Sequence, residues 1–407
     1  MTAHRNAVRH GGPSPMRSWD IFCKVVDNFG DVGVCWRLAR QLAAEHSGEV
    51  RLWIDDLATL ERIQPSIASL EDRQQCMGVE VRRWRGGLAP DPSASPHEVV
   101  IEAFACETPA SFVEAMAKSE QPPVWINLEY LSAEAWVDDC HLLPSPHPRL
   151  PLVKHFFFPG FTDRTGGLLR EAGLLERRDA FRGDPLAQAA WWRSIAIEPP
   201  SARALKVSLF GYANPAAAAL LGVWIRGATP VVCVVPAGVL HAQMVQAIKS
   251  HAGDIDAGAL DAGRSITCGN LQLKIIPFVP QGDYDRLLWA SDINFVRGED
   301  SFVRAQWAGR PMVWQIYPQE EAAHMTKLRA FVARYTAGLP PDVAGAVGDL
   351  FAAWNGAADI GAAWAAAEAV MPAWISQAGR WAASLASGTD MATRLVEAVA
   401  EIRRKQL

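Results

Sequence analysis

Short apolar runs recur along this chain, separated by longer stretches in which apolar residues return every three or four positions. In the first half the runs fall at Trp19–Val26, Val50–Ile54, Val79–Trp84, Val99–Phe104 and Val124–Leu128. Their length and near-continuous apolar character predict strands covered on both faces. Between the first two runs, Val34, Leu38 and Leu42, with Cys35 and Ala39, recur at helical spacing. A helix is therefore predicted from near Val34, with Arg37, Arg40 and Gln41 facing outward. The segment Pro144–Thr165, rich in Pro, His and Phe, reads as loops on a rim, and Ala196–Arg203, with Pro199-Pro200, reads as a linker.

The alternation then restarts. Strands are predicted at Leu205–Phe210, Val231–Val235, Leu271–Phe278, Ile293–Val296 and Met312–Tyr317. Helices fit Ala216–Ile225, Leu240–His251, Tyr284–Ala290 and Glu320–Thr336. Strand and helix in alternation at this spacing imply α/β domains with mostly parallel sheets. The expected division is an extension at 1–17, a first domain at 18–195, a second at 204–370, and helices at 371–407. Within the last, Met391–Lys405 is expected to cross back to the first domain.

Composition narrows the classes. The chain has 407 residues, half of them hydrophobic and 20% charged, which is ordinary for a globular protein. A net charge of −5 gives no electrostatic footprint for nucleic acid. No apolar run is long enough to span a bilayer, so no membrane segment is expected. The start, MTAHRNAVRHGGPSPMRSWD, lacks the apolar core of a secretory signal; it reads as a disordered extension, with Met16 as an alternative start. Seven scattered cysteines with no C-x-x-C pair favour reduced thiols and a cytoplasmic location.

Two stretches carry candidate chemistry. In DINFVRGEDSFVRAQWAGRPMVWQIYPQ, from Asp292, a strand runs into a polar turn and then a helix that Ser301 can cap and Gly309 can end. Such a turn aims unpaired N–H groups and the positive end of a helix dipole at one spot. Arg297 adds a cation with a fork suited to phosphate, and Glu299 an acceptor for hydroxyls. These parts suit a sugar nucleotide. Earlier, Asp27 and Asp31 lie four apart in a glycine-bearing loop, Asp27–Gly33, following the first strand. Two readings stay open for them: a carboxylate pair that orients or deprotonates an acceptor, or a helix cap and a self-bonded turn. Gly30-Asp31-Val32-Gly33 is not a dinucleotide fingerprint.

The blocks RGEDSFVRAQWAGRPMVWQIYPQ and WDIFCKVVDNFGDVGVCWRLARQLA resemble the signatures of the elongation factor P arginine rhamnosyltransferases, the EarP family. Weaker likeness lies at INLEYLSAEAWV, KHFFFPGFT, SLFGYAN and PFVPQGDYDRLLWASD, so the resemblance covers Trp19 to about Leu328. It implies a GT-B glycosyltransferase: two Rossmann-like domains facing a cleft, with a helical C-terminal tail. The implied reaction moves L-rhamnose from dTDP-β-L-rhamnose to an arginine of elongation factor P, inverting the anomeric centre and activating the factor for polyproline translation. Asp31 is implied as general base, Asp27 as holder of the acceptor guanidinium, and Glu299 as a third catalytic carboxylate. Donor binding falls to Asn28, Gly30, Phe210, Tyr212, Phe278, Gln281, Tyr284, Arg297, Glu299, Asp300 and Ser301, with the aromatics stacking and Gln281 reading the base edge. No histidine cluster is present, and neither metal nor cofactor is expected. A guanidinium has a pKa above about 12 and delocalised lone pairs, so two carboxylates suit it better than one. The rival readings are a glycosyltransferase or epimerase acting on a small molecule, and a non-catalytic sugar-nucleotide-binding protein.

Overall fold

A computed structural model describes residues 18–27, 29–85, 94–252, 263, 265–318 and 323–406; element counts below refer to these. Residues 1–17, with Met16, and Asn28 lie outside them.

The first sheet has eight strands: β1 (Ser18–Cys23), β2 (Glu49–Ile54), β3 (Arg73–Cys76), β4 (Val79–Arg83), β5 (Val99–Ala103), β6 (Val124–Leu128), β7 (Pro144–Pro146) and β8 (Val153–Phe157). Their order is β3-β4-β2-β1-β5-β6-β8-β7, parallel except where β3 and β7 pair antiparallel at the two edges. The second has six: β9 (Leu205–Leu209), β10 (Val231–Pro236), β11 (Ser265–Cys268), β12 (Leu271–Ile276), β13 (Ile293–Arg297) and β14 (Met312–Gln315). Their order is β11-β12-β10-β9-β13-β14, with only β11 antiparallel.

The connecting helices of the first half are α1 (Phe29–Glu45), α2 (Leu57–Ile63), α3 (Ala110–Lys118), α4 (Val137–Cys140), α5 (Leu174–Gly183) and α6 (Pro185–Ser194). Those of the second are α7 (Pro215–Arg226), α8 (Val239–Ala252), α9 (Gln281–Ala290), α10 (Asp300–Ala308) and α11 (Ala323–Tyr335). The tail is helical: α12 (Pro341–Trp354), α13 (Ile360–Ala369), α14 (Met371–Ala386) and α15 (Met391–Gln406).

This topology locates the chemistry. In each sheet the strand order reverses beside the first strand, between β1 and β5 and between β9 and β13. Crevices open at the carboxyl ends of strands at such switch points. Asp27 follows β1, Tyr212 follows β9, and Arg297 ends β13.

Four expectations need correction. The segment 144–165 is not all loop, because β7 and β8 extend the sheet beyond β6; their half-exposed residues leave no apolar run to read. Helix α1 starts at Phe29, one turn before Val34, because the Gly30 N–H bonds the Asp27 carbonyl at 2.7 Å and closes the first turn despite two glycines. Arg37 and Gln41 do not face water; they are 2% and 1% exposed, since α1 packs against α10 and α15 as well as its own sheet. Helices α5 and α6 leave the first domain: Leu174, Trp191 and Trp192 join the second core, and Phe181 lies 6.0 Å from Trp289. Apolar periodicity says that a helix buries a face, not against which sheet.

The tail divides. Helix α14 stays on the second domain, where Trp374 Nε1 donates to Tyr335 Oη (3.0 Å) and Trp381 Nε1 to Gln306 Oε1 (2.5 Å). Helix α15 returns to the first, burying Met391, Leu395, Val399 and Ile402 among Trp36, Leu38 and Leu42. If α15 is an integral part of that core, Leu395→Ala should cost about 2–5 kcal/mol. A chemical denaturation midpoint unchanged by the substitution would mean that α15 is only laid on the surface.

Candidate active site

The turn after β1 is closed by its own acid. Asp31, in the first turn of α1, accepts the N–H groups of Val26 and Asp27 on Oδ2, both at 2.8 Å, and the Tyr130 hydroxyl on Oδ1 at 3.1 Å. Asp27 is thereby pushed towards the second domain, where the Tyr212 hydroxyl donates to its Oδ1 at 2.5 Å. Its other oxygen faces Gly298, whose φ of +59° favours glycine and whose added Cβ would come 2.5 Å from Asp27 Oδ2. A single carboxylate thus spans the cleft between the two switch points.

The turn after β13 supplies the opposite wall. Ser301 is not the expected N-cap: helix α10 begins at Asp300, and the Ser301 hydroxyl turns back to the Arg297 carbonyl while accepting the Arg297 N–H. Gly309, at φ +57°, ends the helix as expected. The Arg297 guanidinium lies 4.6 Å from the centres of both the Phe210 and Tyr212 rings and 5.9 Å from Phe29. Among the described residues it makes no hydrogen bond or ion pair, and it lines the cavity.

That cavity is narrow, with an accessible volume of about 40 Å³. Asp27, Gly30, Phe210, Phe278, Gln281, Tyr284, Arg297, Asp300 and Ser301 line it together. Phe278 packs on Phe29, centroids 4.3 Å apart, and Tyr284 lies edge-on to Phe210 at 5.6 Å. Phe29, Ile63, Pro236 and Val279 complete an apolar slot that the reading of the sequence missed, since each looks like ordinary core. Gln281 Nε2 donates to the Gly33 carbonyl (3.1 Å) and to Asp300 Oδ2 (3.2 Å), while its buried Oε1 has no partner among the described residues. Tyr212, Asp31 and Glu299 adjoin the cavity rather than line it.

Burial sets the electrostatics. It pushes the Asp27 carboxyl up to about 6, against the hydrogen bond from Tyr212, and nearby Asp31 adds to the rise. Asp31 is also raised, chiefly by burial and despite its three donors. Glu299 accepts the Leu131 N–H at 3.0 Å, and burial lifts it to about 8 although Lys327 opposes the rise. Three carboxylates that are costly to ionise where they stand favour a cation among them. On the second wall an unpartnered arginine favours an anion. An acceptor cation and a phosphorylated donor fit this pair of walls.

No group of three or more potential metal ligands occurs among the described residues. Asp283 and Asp285 form an Asp-x-Asp pair, but both are held by arginines. Asp283 is bound by Arg286 at 2.8 Å, and Asp285 by Arg37 and Arg304.

Two Rossmann-like domains, facing each other with a tail that returns to the first, define a GT-B glycosyltransferase. Part of that likeness is general: a glycosyltransferase from Rickettsia africae superposes with a TM-score of 0.52 at 8% identity, covering 96% of this chain and 99% of that one. The rest is specific. The family model for elongation factor P (EF-P) rhamnosyltransferase EarP matches residues 19–400, and the chain belongs to that family. It is 48% identical to the protein-arginine rhamnosyltransferase of Pseudomonas putida over 93% of this chain and 97% of the relative. The Pseudomonas aeruginosa enzyme of the same name is 46% identical, over 95% and 100%. A structure solved to explain EarP-mediated arginine glycosylation of EF-P gives a TM-score of 0.66 at 36% identity, covering 96% and 99%.

The Asp27 environment generates a test. Because the Tyr212 hydrogen bond holds the carboxyl down, Tyr212→Phe should raise it above about 6, by roughly one pH unit or more. The folded protein binds this proton more tightly than the unfolded chain. The stability it contributes is therefore full below about pH 4 and lost as pH rises through about 6. Carboxyl ¹³C titration of Asp27 reads the shift directly, and an unmoved titration would show that the tyrosine does not touch the ionised form.

Proposed function

We propose that this protein transfers L-rhamnose from dTDP-β-L-rhamnose to an arginine side chain of elongation factor P, with inversion. The observation that carries this reading is the facing pair: Arg297, without an ion-pair partner among the described residues, on one wall, and Asp27 and Asp31 on the other. Arg297 and the N-terminal turn of α10 bind the diphosphate, whose charge grows as it leaves. The slot of Phe210, Phe278 and Tyr284 takes the thymine ring, with the open Gln281 Oε1 as its polar contact.

On the acceptor side Asp27 holds the guanidinium. Asp31 is oriented by Val26, Asp27 and Tyr130, with lone pairs left to take a proton. A guanidine nitrogen attacks the anomeric carbon, the bond to the diphosphate oxygen breaks, and the proton lost from nitrogen passes to Asp31. Glu299, buried at the α10 turn, faces the sugar hydroxyls. The displacement is single, so no covalent sugar–enzyme species forms. Protein donors stabilise the leaving group without a metal, and EDTA should leave turnover intact; loss restored by magnesium would overturn that. Such a reaction belongs in the cytoplasm, where the translation factor is. Among the described residues no helix is long and apolar enough to cross a membrane.

The direct test is intact-mass measurement of elongation factor P incubated with enzyme and donor. A gain of one deoxyhexose on a single arginine is expected, and sugar released only to water or a small molecule would refute the acceptor. Asp31→Asn should reduce turnover at least about a hundredfold with dTDP binding nearly intact. Normal turnover would return Asp31 to a turn-closing role. In calorimetry Arg297→Ala should weaken dTDP at least about tenfold, since it removes the cation nearest the diphosphate. Unchanged affinity would remove Arg297 from the donor site.

A further inference from the structure

Behind the cavity lies a cluster of charges that the transfer mechanism does not use. Arg37 of α1 donates through Nε to Asp300 Oδ1 (2.8 Å), through Nη1 to Glu171 Oε1 (3.1 Å), and through Nη2 to Asp285 Oδ1 (3.2 Å). Arg304 of α10 grips Asp285 with a bidentate fork (2.8 and 2.7 Å) and reaches Glu171 at 2.6 Å. Arg40 stands 3.8 Å from Glu171. Three arginines thus balance three carboxylates, and both Arg37 and Arg304 are 2% exposed. The four segments that meet here are α1, the stretch from β8 to α5, α9 and α10. They come from both domains.

Buried networks of this kind add little net stability, because desolvation offsets the attraction; what they fix is geometry. Only one of the three carboxylates also lines the cavity: Asp300, which heads α10 directly after Gly298-Glu299. Each of its oxygens already accepts a bond, Oδ1 from Arg37 and Oδ2 from Gln281, so both domains hold it in place. Gly33, on the first turns of α1, is in contact with it: an added Cβ would lie 2.9 Å from the Asp300 Cβ and 3.0 Å from its Cγ.

We propose that Arg37 is a positioning residue for the transfer reaction: acting through Asp300, it sets the donor-side turn, Arg297–Ser301, at a fixed height against the helix that carries Asp31. The inference rests on the reading of the site given above. Arg37 does not line the cavity. Asp31 and Arg37 share one rigid helix, so the anchor that holds the donor turn moves with the acceptor-side base. Reacting atoms must be held in near-attack geometry for the displacement, and a shift of one wall against the other is costly in rate.

Three substitutions test this, read by kcat, by KM for donor and acceptor separately, by dTDP calorimetry and by thermal midpoint. Arg37→Lys keeps a cation in the cluster but loses the Nε bond to Asp300. Arg304→Lys makes the same change without touching Asp300. Gly33→Ala leaves every charge in place and favours the helix, yet wedges Asp300 away from α1. Arg37→Lys and Gly33→Ala should each lower kcat at least about tenfold and weaken dTDP severalfold, with KM for the protein acceptor nearly unchanged. Arg304→Lys should lower the thermal midpoint while kcat stays within about threefold. If Arg304→Lys loses as much kcat as Arg37→Lys, the cluster is structural mortar and the proposal is wrong. It is equally wrong if Gly33→Ala turns over normally, and that variant decides the matter should Arg37→Lys fail to fold. Wild-type enzyme that binds no dTDP would instead overturn the donor reading on which this rests.

Discussion

Titratable groups are buried here without full compensation, in a cleft between two sheets. Asp27, Asp31 and Glu299 are all raised by burial, and Arg297 lies against the Phe210 and Tyr212 rings with Asp27 near enough to feel its charge. Left alone, each of these groups costs free energy, and the surrounding fold supplies what holds them in place. Parallel sheets covered by helices on both faces provide rigid strand ends, and the two switch points put those ends opposite each other. Close approach does the rest: Gly30 and Gly298 let the Asp27 carboxylate sit where any side chain would collide with it. The strain of bringing charges together is local, whereas the elements that enforce it span most of the chain.

The same logic explains why the tail matters to the cleft. Helix α14 braces α10 through the Trp381–Gln306 bond, and α15 packs on α1. One covalent segment therefore touches both helices that begin at the site. The chain crosses between domains twice, near Leu168–Gly173 and near Ser387–Asp390, and the crossings are tied together. Arg170 donates to the Ala386 and Gly388 carbonyls, and the Met391 N–H to the Leu168 carbonyl. A hinge made of two paired strands of chain restricts how the domains can move, favouring rotation about one axis over free separation.

Much of the fold was legible because fully buried parallel strands leave apolar runs that nothing else in a chain of this composition explains. Val99–Ala103 and Val231–Pro236 are such runs. The strands that were missed, β3, β7, β8 and β11, are at or next to sheet edges and half-exposed, so their residues carry neither run nor alternation. The start of α1 was misread because Gly30 and Gly33 are ordinarily loop signals; the bonds that make them helical come from Asp27 and Asp31. For the site, the family blocks pointed to residues nine of which line one cavity, with Tyr212, Asp31 and Glu299 beside it; Asn28 lies outside the described residues. No local rule would have paired Phe278 with Phe29, which approach from different domains.

Arg37 is the clearest limit of local reading. Charged residues on an amphipathic helix ordinarily face water, and by that rule it was placed outside. Its partners lie 134, 248 and 263 residues further along the chain. No window of sequence short enough to show helical periodicity contains them. What the sequence does contain is a numerical oddity that acquires meaning only in three dimensions: an arginine in the third turn of α1 and another one turn into α10, each beside a helix start that carries an acid. When two such helices abut, their arginines meet, and the acids they require must be recruited from wherever the chain crosses between domains. Glu171 is that recruit. A single polar cluster then serves at once as interdomain cement and as the reference against which both walls of the cleft are measured.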